Sequence, residues 1–234
     1  MTRAVAWRRG APIAFIRESH ALEPVGPHGG GGGGDLTGLR LWDAAPALIS
    51  YLDRHRARLL RGRHALELGA GTGAVGIAAA ALGARSVLLT DSDREASLAT
   101  ASGWRAESTL AHLRGSVQLN PPSVARRVAV AELDWGDEAH IARVGRRFDL
   151  VVASDTLYYP RHTYERLART FGALTSAGGT ALLSYKVRHG HEPGFARLLV
   201  ERGFELLHEE EAGDAASLRL VELGARARAR ANDA

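Results

Sequence analysis

Apolar positions along the chain follow two spacings that alternate from residue 41 onward. Residues 41, 45, 48, 49 and 52 are apolar and recur as they would on one face of a helix, and Asp43 is placed to cap that helix. Short apolar runs then alternate with segments of helical spacing. The runs predict strands at 65–68, 86–90, 148–154 and 180–185, and the helical spacing predicts helices at 74–82 and 163–174.

The strands of this middle region are apolar on both faces, which is typical of a parallel sheet covered by helices. The end of the chain differs, since a predicted helix at 193–202 is followed by strands at 204–207 and 217–223 around a polar turn. Such a hairpin brings an antiparallel strand into the sheet. We therefore predict an α/β, Rossmann-like fold with a mostly parallel sheet, a C-terminal antiparallel hairpin and helices on both faces.

Segments at both ends flank this region. Residues 4–19 gather apolar side chains around a Gly-Ala-Pro turn and predict a strand pair. Six consecutive glycines at 29–34 gain little from burial, so residues 24–37 are expected to form a flexible loop. Near the end of the chain, arginines alternate with alanine and predict a disordered basic tail. The expected division of the chain is thus 1–40, 41–223 and 224–234.

Composition narrows the classes of function. The formal net charge is +4, but the cations are scattered arginines with Lys186 as the single lysine, and no aromatic-basic recognition pattern accompanies them. We therefore expect no nucleic-acid partner. No apolar run is long enough to span a membrane and the N-terminus lacks the core of a signal peptide, which favours a cytoplasmic protein with the nucleus as an alternative. Cysteine is absent, which excludes disulfides, thiolate metal sites and cysteine nucleophiles.

A glycine-rich loop follows the predicted strand at 65–68. Gly69, Gly71 and Gly73 allow a tight turn and a close approach of the backbone to a ligand. The next strand is followed by Asp91, whose carboxylate only accepts hydrogen bonds and is therefore suited to the hydroxyls of a ribose. Ligands of open α/β sheets bind at the carboxyl ends of strands, so the loop and Asp91 together predict a nucleoside site.

The loop by itself leaves open which nucleoside binds. Residues 71–76 match the dinucleotide fingerprint GxGxxG, which alone is a weak signal. Glu67 stands just before the glycines, where a carboxylate disfavours a pyrophosphate but suits a ligand that carries a sulfonium and an amino group. We therefore favour the methyl donor S-adenosylmethionine over a dinucleotide, and a purely structural turn is the third interpretation.

The predicted strand at 148–154 ends in a group of polar side chains. Ser154 and Asp155 are followed by Tyr158 and Tyr159, so a carboxylate and a phenol stand at the same edge as the glycine loop. Methyl transfer to an amine needs a neutral nitrogen held in line with the methyl group. A carboxylate can catch the incoming ammonium, and tyrosines can align it once it is deprotonated. Alternatively, Asp155 is only a turn or cap residue.

Other candidate residues are less specific. Trp42 and Trp135 flank the expected ligand-binding turns, where they serve either the donor or the core. Tyr185 ends a strand at the active edge and is expected to shape the substrate entrance. The histidines and the glutamate of residues 189–192 have a spacing compatible with a metal, but no second cluster accompanies them, so we predict an exposed loop and no metal.

Five motifs, in this order along the chain, resemble the seven-strand protein-lysine methyltransferases that modify chaperones and translation elongation factors. They are Trp42-Asp43-Ala44-Ala45, Leu66-Glu67-Leu68-Gly69-Ala70-Gly71-Thr72-Gly73, Thr90-Asp91, Leu133-Asp134-Trp135-Gly136 and Asp155-Thr156-Leu157-Tyr158. The resemblance covers residues 41–210. The glycine motif is common to most methyltransferases, whereas the order of all five is specific to this group. Two segments depart from the family pattern: 97–115 is longer, and the glycine run lies where substrate-facing structure is expected.

The resemblance implies S-adenosyl-L-methionine as the cofactor and a lysine of a specific protein as the substrate, with chaperones and translation factors as candidates. The expected catalytic residues are Asp155 and Tyr158, and the expected substrate contacts are Tyr159 and Tyr185. The expected donor contacts are Trp42, Glu67, Gly69, Ala70, Gly71, Gly73, Asp91, Asp134, Trp135 and Ser154. We expect a monomer. Methylation of arginine, histidine or a small molecule, and a non-catalytic donor-binding module, are the alternatives.

Overall fold

A computed structural model describes residues 1–8, 11–18, 37–93, 95–100, 103–158, 161–212 and 217–226. The strands are β1 (Thr2–Arg8), β2 (Ala11–Arg17), β3 (His64–Leu68), β4 (Ser86–Asp91), β5 (Glu95–Thr100), β6 (Gly103–Ser108), β7 (Val128–Glu132), β8 (Phe148–Ser154), β9 (Thr175–Lys186), β10 (Phe204–Glu211) and β11 (Leu218–Ala225). The helices are α1 (Ala44–Arg54), α2 (Arg56–Leu59), α3 (Ala74–Leu82), α4 (Thr109–Gln118), α5 (Pro122–Ala125), α6 (Glu138–Val144), α7 (His162–Leu174) and α8 (Gly194–Glu201). Short 3-10 turns are formed by Thr37–Leu39 and Thr156–Tyr158.

The central sheet has seven strands in the order β10-β11-β9-β8-β3-β4-β7. β3 pairs in parallel with β4 and β8, and the pairs β4–β7 and β8–β9 are parallel as well. β11 is antiparallel to both β9 and β10. The chain runs outward from β3 through β4 to β7 and then returns to the other side of β3, so the strand order reverses between β3 and β8. The predicted fold class is confirmed.

Side chains of the central strands alternate between two hydrophobic clusters, one on each face of the sheet. In β8, Leu150 and Val152 belong to the cluster formed with α1 and α3, whereas Val151 and Ala153 belong to the cluster formed with α7 and α8. All four residues are at most 2% exposed. Burial on both faces is the physical reason why uninterrupted apolar runs predict parallel strands in this chain.

β1 and β2 form an antiparallel hairpin, as the sequence pattern predicts. Val5 and Ile16 of this hairpin belong to the hydrophobic cluster of α1 and α3. The backbone N–H of Phe15 donates a hydrogen bond to Oδ1 of Asn120 at 2.8 Å, and Nδ2 of Asn120 donates to the Phe15 carbonyl oxygen at 2.8 Å. The hairpin is therefore packed into the same core as one face of the sheet.

Some details differ from the predicted elements. The region between β4 and β8 contains more secondary structure than the sequence pattern predicts, because β5 and β6 form an antiparallel hairpin before α4. Asp43 stands at the N-cap position of α1, but its side chain makes no capping hydrogen bond. The glycine run at 29–34 and the arginine-alanine segment at 227–234 lie outside the described residues. Within the described residues, no helix has the length and apolar character needed to cross a membrane.

A buried carboxylate joins the sheet to the first two helices. Glu222 of β11 is 1% exposed and accepts hydrogen bonds from the Tyr51 hydroxyl at 2.7 Å and from both terminal nitrogens of Arg58. Burial raises the pKa of Glu222, but the hydrogen bonds from Arg58 and Tyr51 and the charge of Arg58 outweigh it and hold the pKa below its ordinary value. These contacts attach α1 and α2 to β11.

We expect Arg58→Ala to lower the free energy of unfolding by about 2 kcal/mol, because it leaves the Glu222 carboxylate buried without its cation. Arg58 is half exposed, which keeps the loss below that of a fully buried pair. The matched control is Arg56→Ala on the same helix. Its pair with Asp53 is exposed, so the change should stay below about 0.5 kcal/mol. Urea unfolding at neutral pH measures both variants.

The same pair predicts a pH dependence. Because the pKa of Glu222 is lowered in the folded state, its contribution to stability is present above the ordinary glutamate value of 4.5 and is lost as the pH falls below it. The stability difference between the wild type and Arg58→Ala should therefore shrink in acid. A difference that grows in acid would contradict the assignment of the effect to Glu222.

Candidate active site

A cavity opens at the carboxyl ends of β3, β4 and β8, beside the point where the strand order reverses. Most of the residues that the sequence assigns to the site line this cavity, namely Trp42, Glu67, Gly69, Ala70, Gly71, Asp91, Asp134, Trp135, Ser154 and Asp155. These residues come from five separate segments of the chain. The fold therefore brings together the motifs that the sequence shows apart.

The glycines after β3 adopt backbone conformations that favour glycine. Gly69, Gly71 and Gly73 have positive φ angles of 65°, 52° and 80°. A Cβ at residue 71 would also lie 3.0 Å from the carbonyl oxygen of Gly38. Gly73 does not line the cavity and is instead the N-cap residue of α3. Gly69 and Gly71 thus expose their backbone to the cavity on either side of Ala70.

Glu67 of β3 is buried and binds the first turn of α3. It is 2% exposed, and its Oε2 accepts a hydrogen bond from the backbone N–H of Gly76 at 2.7 Å. Burial raises the pKa of Glu67 to about 8, although the N–H groups of Gly76 and Val75 lower it and the charge of Asp91 raises it further. Glu67 is therefore mostly neutral near pH 7 in the free protein, and a cation in the cavity favours its charged form.

Asp91 at the end of β4 is tied to the glycine loop. Its Oδ2 accepts a hydrogen bond from the Gly71 N–H at 2.7 Å, and its Oδ1 accepts one from the Ser92 N–H at 2.8 Å. These bonds place a carboxylate on the cavity wall beside the exposed glycine backbone. The contact of Asp91 with a ribose stays a prediction.

Two tryptophan side chains line the cavity from different segments. Trp135 packs against the glycine loop, since a Cβ at residue 69 would lie 3.0 Å from its Cζ2. Nε of Arg166 on α7 donates a hydrogen bond to the Trp135 carbonyl oxygen at 2.8 Å and so holds this segment. The Arg40 guanidinium lies 5.5 Å from the centroid of the Trp42 ring. Both tryptophans therefore contribute to the cavity wall.

Asp155 directly follows β8 and lines the cavity, although it is only 3% exposed. Among the described residues, it is the one non-glycine residue with a positive φ, at 54°. This conformation is unfavourable for a residue with a Cβ atom. The Asp155 N–H donates to the Ser184 carbonyl oxygen at 2.8 Å, which extends the β8–β9 ladder into the turn and holds the residue in place.

The Asp155 carboxylate already has a cationic partner. Arg188 donates from Nη1 to Oδ1 at 2.7 Å and from Nη2 to Oδ2 at 2.8 Å, which is the bidentate geometry of a strong pair. The backbone N–H of Lys186 lies 3.4 Å from Oδ1. The sequence does not predict this partner, because Arg188 lies 33 residues from Asp155 and carries no local signal.

The tyrosines of the predicted site are not all at the cavity. Tyr158 ends the 3-10 turn after Asp155, but its side chain lies outside the described residues, as does the whole of Tyr159. Side chains alternate along β9, so Ser184 faces α1 whereas Tyr185 faces α7 and α8. Tyr185 is 2% exposed, and burial raises its pKa to about 12. Tyr185 was expected to contact the substrate, but in the structure it is part of the hydrophobic core.

The segment between β9 and α8 is exposed at residues 188–190, as predicted, but Glu192 within it is buried. Glu192 is 0% exposed, and its Oε1 accepts hydrogen bonds from the N–H groups of Arg188 at 2.9 Å and His189 at 2.8 Å. Gly190 suggested an exposed loop, but Glu192 two residues later is buried and holds the turn through hydrogen bonds. Glu192 closes the turn that presents the Arg188 side chain.

Another group has side chains of the type that bind metals. Ligand atoms of Glu132, Asp134 and His140 lie within 4.8 Å of one another. However, Nδ1 of His140 accepts a hydrogen bond from the Asp134 N–H at 3.0 Å. In a neutral imidazole this bond leaves the proton on Nε2, so neither ring nitrogen is ready to bind a metal.

The cavity is also lined by residues that the sequence did not indicate as site residues, among them Arg40, Thr109, Thr156 and Arg166. Arg40 and Thr156 are neighbours of the Trp42 and Asp155 motifs, and this proximity is a usable signal. Thr109 and Arg166 lie on α4 and α7, at positions that no motif marks.

Comparison with known proteins identifies relatives over most of the chain. A family model described as lysine methyltransferase matches residues 31–202. Protein N-lysine methyltransferase METTL21A of Mus musculus is 36% identical over 165 residues, which are 70% of this chain and 67% of the relative. EEF1A lysine methyltransferase 3 of Mus musculus is 35% identical over 175 residues, or 74% and 67% of the two chains. The chain thus spans about two thirds of the length of these relatives.

Among solved structures, the glycopeptide N-methyltransferase MtfA complexed with S-adenosyl-L-methionine is similar in fold. It has a TM-score of 0.56 and 18% sequence identity, and the match covers 75% of this chain and 86% of that chain. The putative RNA methyltransferase PH1948 from Pyrococcus horikoshii gives a TM-score of 0.55 at 14% identity, covering 80% of this chain and 84% of that chain.

The raised pKa of Glu67 predicts that a cationic donor binds with release of a proton. At pH 7 the free protein holds Glu67 mostly protonated, because its pKa is about 8, and a cation lowers that pKa. Affinity for S-adenosylmethionine should therefore rise between pH 6 and 8, by up to about tenfold per pH unit, and level off above that range. Calorimetric titration in buffers of different ionisation heat measures the proton release.

The control is Glu67→Gln, whose amide oxygen can still accept the Gly76 hydrogen bond but cannot titrate. This variant should lose the part of the proton release that belongs to Glu67. Equal proton release by the two proteins would show that Glu67 is not coupled to the donor.

Proposed function

This chain belongs to the lysine methyltransferase family, and we propose that it transfers methyl groups to a lysine side chain of a specific protein. It is an S-adenosylmethionine-dependent methyltransferase. The main support for an amine substrate is that Asp155 lines the same cavity as Gly69 and Asp91. A donor bound along the glycine loop and a target amine next to Asp155 would therefore meet within one cavity.

We propose that the donor is held by the carboxylates and rings of the cavity wall. Asp91 would accept hydrogen bonds from the ribose hydroxyls, and Glu67 would become charged beside the cationic part of the donor. Trp42 and Trp135 would pack against the adenine or the methionine chain. Further proposed contacts are Gly69, Ala70, Gly71, Asp134 and Ser154, while Gly73 would act by shaping the loop.

Acidic groups in the wall also discriminate between ligands. The sulfonium and the amino group of S-adenosylmethionine are cations and would favour the charged form of Glu67. A pyrophosphate at the same place would be repelled by a charged Glu67, whereas Asp91 suits the ribose of either ligand. The cavity thus fits a methyl donor better than the dinucleotide that the GxGxxG match alone allows.

The reaction requires a neutral amine on the axis of the breaking bond. A bond forms between the amine nitrogen and the methyl carbon while the bond from that carbon to sulfur breaks and sulfur keeps the electron pair. The substrate lysine arrives as an ammonium and must first lose a proton to water. We propose that Asp155 aligns this nitrogen by accepting a hydrogen bond, with Tyr158 and Tyr159 as further substrate contacts.

The identity of the protein substrate is a separate proposal. One of the relatives is named for lysine methylation of EEF1A, which makes translation elongation factors the first candidates for this chain and chaperones the second. We also propose that the enzyme acts as a monomer. We propose no nucleic-acid partner, because the arginines are scattered along the sequence and no aromatic-basic recognition pattern accompanies them.

We expect Asp155→Ala and Asp155→Asn to reduce protein methylation by about a hundredfold, because the amine is then no longer aligned. The measurement uses labelled S-adenosylmethionine and a cell extract that lacks the endogenous enzyme, followed by mass spectrometry of the labelled protein. The wild type should label a discrete protein on lysine. Label on arginine, histidine or a small molecule would contradict the proposed substrate class.

The matched control is Asp53→Ala, which removes an exposed carboxylate of α1 that does not line the cavity. It should label the extract as the wild type does. If the Asp155 variants remain folded and also label as the wild type does, the role assigned to Asp155 is wrong.

A further inference from the structure

The pair between Arg188 and Asp155 lies beside the position proposed above for the target amine. Both carboxylate oxygens of Asp155 accept a hydrogen bond from the guanidinium, at 2.7 and 2.8 Å. Only 2% of the Asp155 side chain is exposed, whereas 27% of the Arg188 side chain is exposed. The pair therefore joins a buried carboxylate on the cavity wall to a cation that approaches it from the surface.

Arg188 is held in this position by its own segment. Its backbone N–H and that of His189 both donate to Oε1 of Glu192, which is fully buried. The turn is thus closed independently of the ion pair. An arginine fixed in this way loses less conformational freedom on pairing than a side chain on a mobile surface loop.

A buried carboxylate without a partner would be unsuitable beside the target nitrogen. It would favour the ammonium form of the lysine, because opposite charges attract strongly where solvent is excluded. An ammonium has no lone pair and cannot attack the methyl group. A carboxylate whose charge is compensated can still accept a hydrogen bond through its remaining lone pairs, but it attracts the protonated amine much less.

We propose that Arg188 is a positioning residue that neutralises the charge of Asp155, so that the carboxylate aligns the target amine without holding it in its protonated form. The inference rests on the proposed amine substrate. Arg188 itself lies outside the cavity lining and acts through Asp155.

The other charged groups around the pair do not replace this function. Glu192 and Asp43 both interact favourably with the Arg188 charge, and they help to keep it protonated. Lys186 lies 3.8 Å from the Asp43 carboxylate and contributes only its backbone N–H to Asp155. Tyr164, which also feels the Arg188 charge, is buried and has a pKa raised to about 12. Among these groups, Arg188 alone places a positive charge on the Asp155 carboxylate.

Two donor analogues test the proposal without any protein substrate. Sinefungin carries a primary amine where the donor carries its methylsulfonium, and S-adenosylhomocysteine is neutral at that point. The ratio of their dissociation constants therefore reports how strongly the site favours an ammonium at the reacting position. In Arg188→Gln, the affinity for sinefungin should rise about tenfold relative to the affinity for S-adenosylhomocysteine at pH 6 to 7, because the negative charge of Asp155 is no longer neutralised. The gain should fade as the pH rises and the sinefungin amine loses its proton.

Two further variants separate charge from shape. Arg188→Lys keeps the cation and should keep the wild-type ratio of the two dissociation constants. In the double variant Asp155→Asn/Arg188→Gln, two neutral amides replace the ion pair, and the ratio should return towards the wild-type value. A residue that only supports the fold would weaken both analogues alike and leave their ratio constant.

An unchanged ratio in folded Arg188→Gln over pH 6 to 9 would overturn the proposal, as would the same gain in Arg188→Lys. Neither outcome depends on finding the methylated protein. A failure to detect lysine methylation in the extract would count against the proposed substrate class, whereas the analogue ratio would still decide the charge of the site.

Discussion

The hydrogen bond from the Gly76 N–H to the buried carboxyl group of Glu67 fixes how α3 leaves the central strand β3. Gly76 packs directly against β4, because a Cβ at residue 76 would collide with Leu89 of that strand. The loop between Glu67 and Gly76 is thereby held at both ends. The other walls of the cavity are built on this loop, since Asp91 binds Gly71 through a hydrogen bond and the Trp135 ring packs on Gly69.

The architecture could be predicted because burial leaves a direct trace in the sequence. Strands such as Phe148–Ser154 are covered on both faces, so nearly every position is apolar, and the alternation with helical segments then indicates a parallel sheet. The site followed from the same reasoning. In a parallel sheet the carboxyl ends of neighbouring strands share an edge, so Glu67, Asp91 and Asp155 had to lie near one another once their strands were identified.

Pairings between distant charged residues could not be predicted in this way. Arg188 and Arg166 resemble the many surface arginines of this chain, and what distinguishes them is the partner that folding brings close, the Asp155 carboxylate and the Trp135 carbonyl. Strand register is a second limit. Tyr185 ends the predicted strand, and successive side chains of a strand point to opposite faces of the sheet. A shift of the strand by one residue therefore decides whether Tyr185 faces the cavity or α7, and the sequence pattern does not determine this shift.

The contact between Gly38 and Gly71 has an evolutionary consequence. The carbonyl of Gly38 belongs to the 3-10 turn before α1 and would lie only 3.0 Å from a Cβ at residue 71, so a side chain there would need this turn to shift by a few tenths of an ångström. Glycine at 71 is therefore favoured by two conditions, its own backbone angle and the position of a turn more than thirty residues away in sequence. Changes in the segment before α1 could move the Gly38 carbonyl away from residue 71, but they would not alter the positive φ angle of residue 71 itself. Substitutions at these two positions should therefore depend on each other even though neither residue carries a functional group.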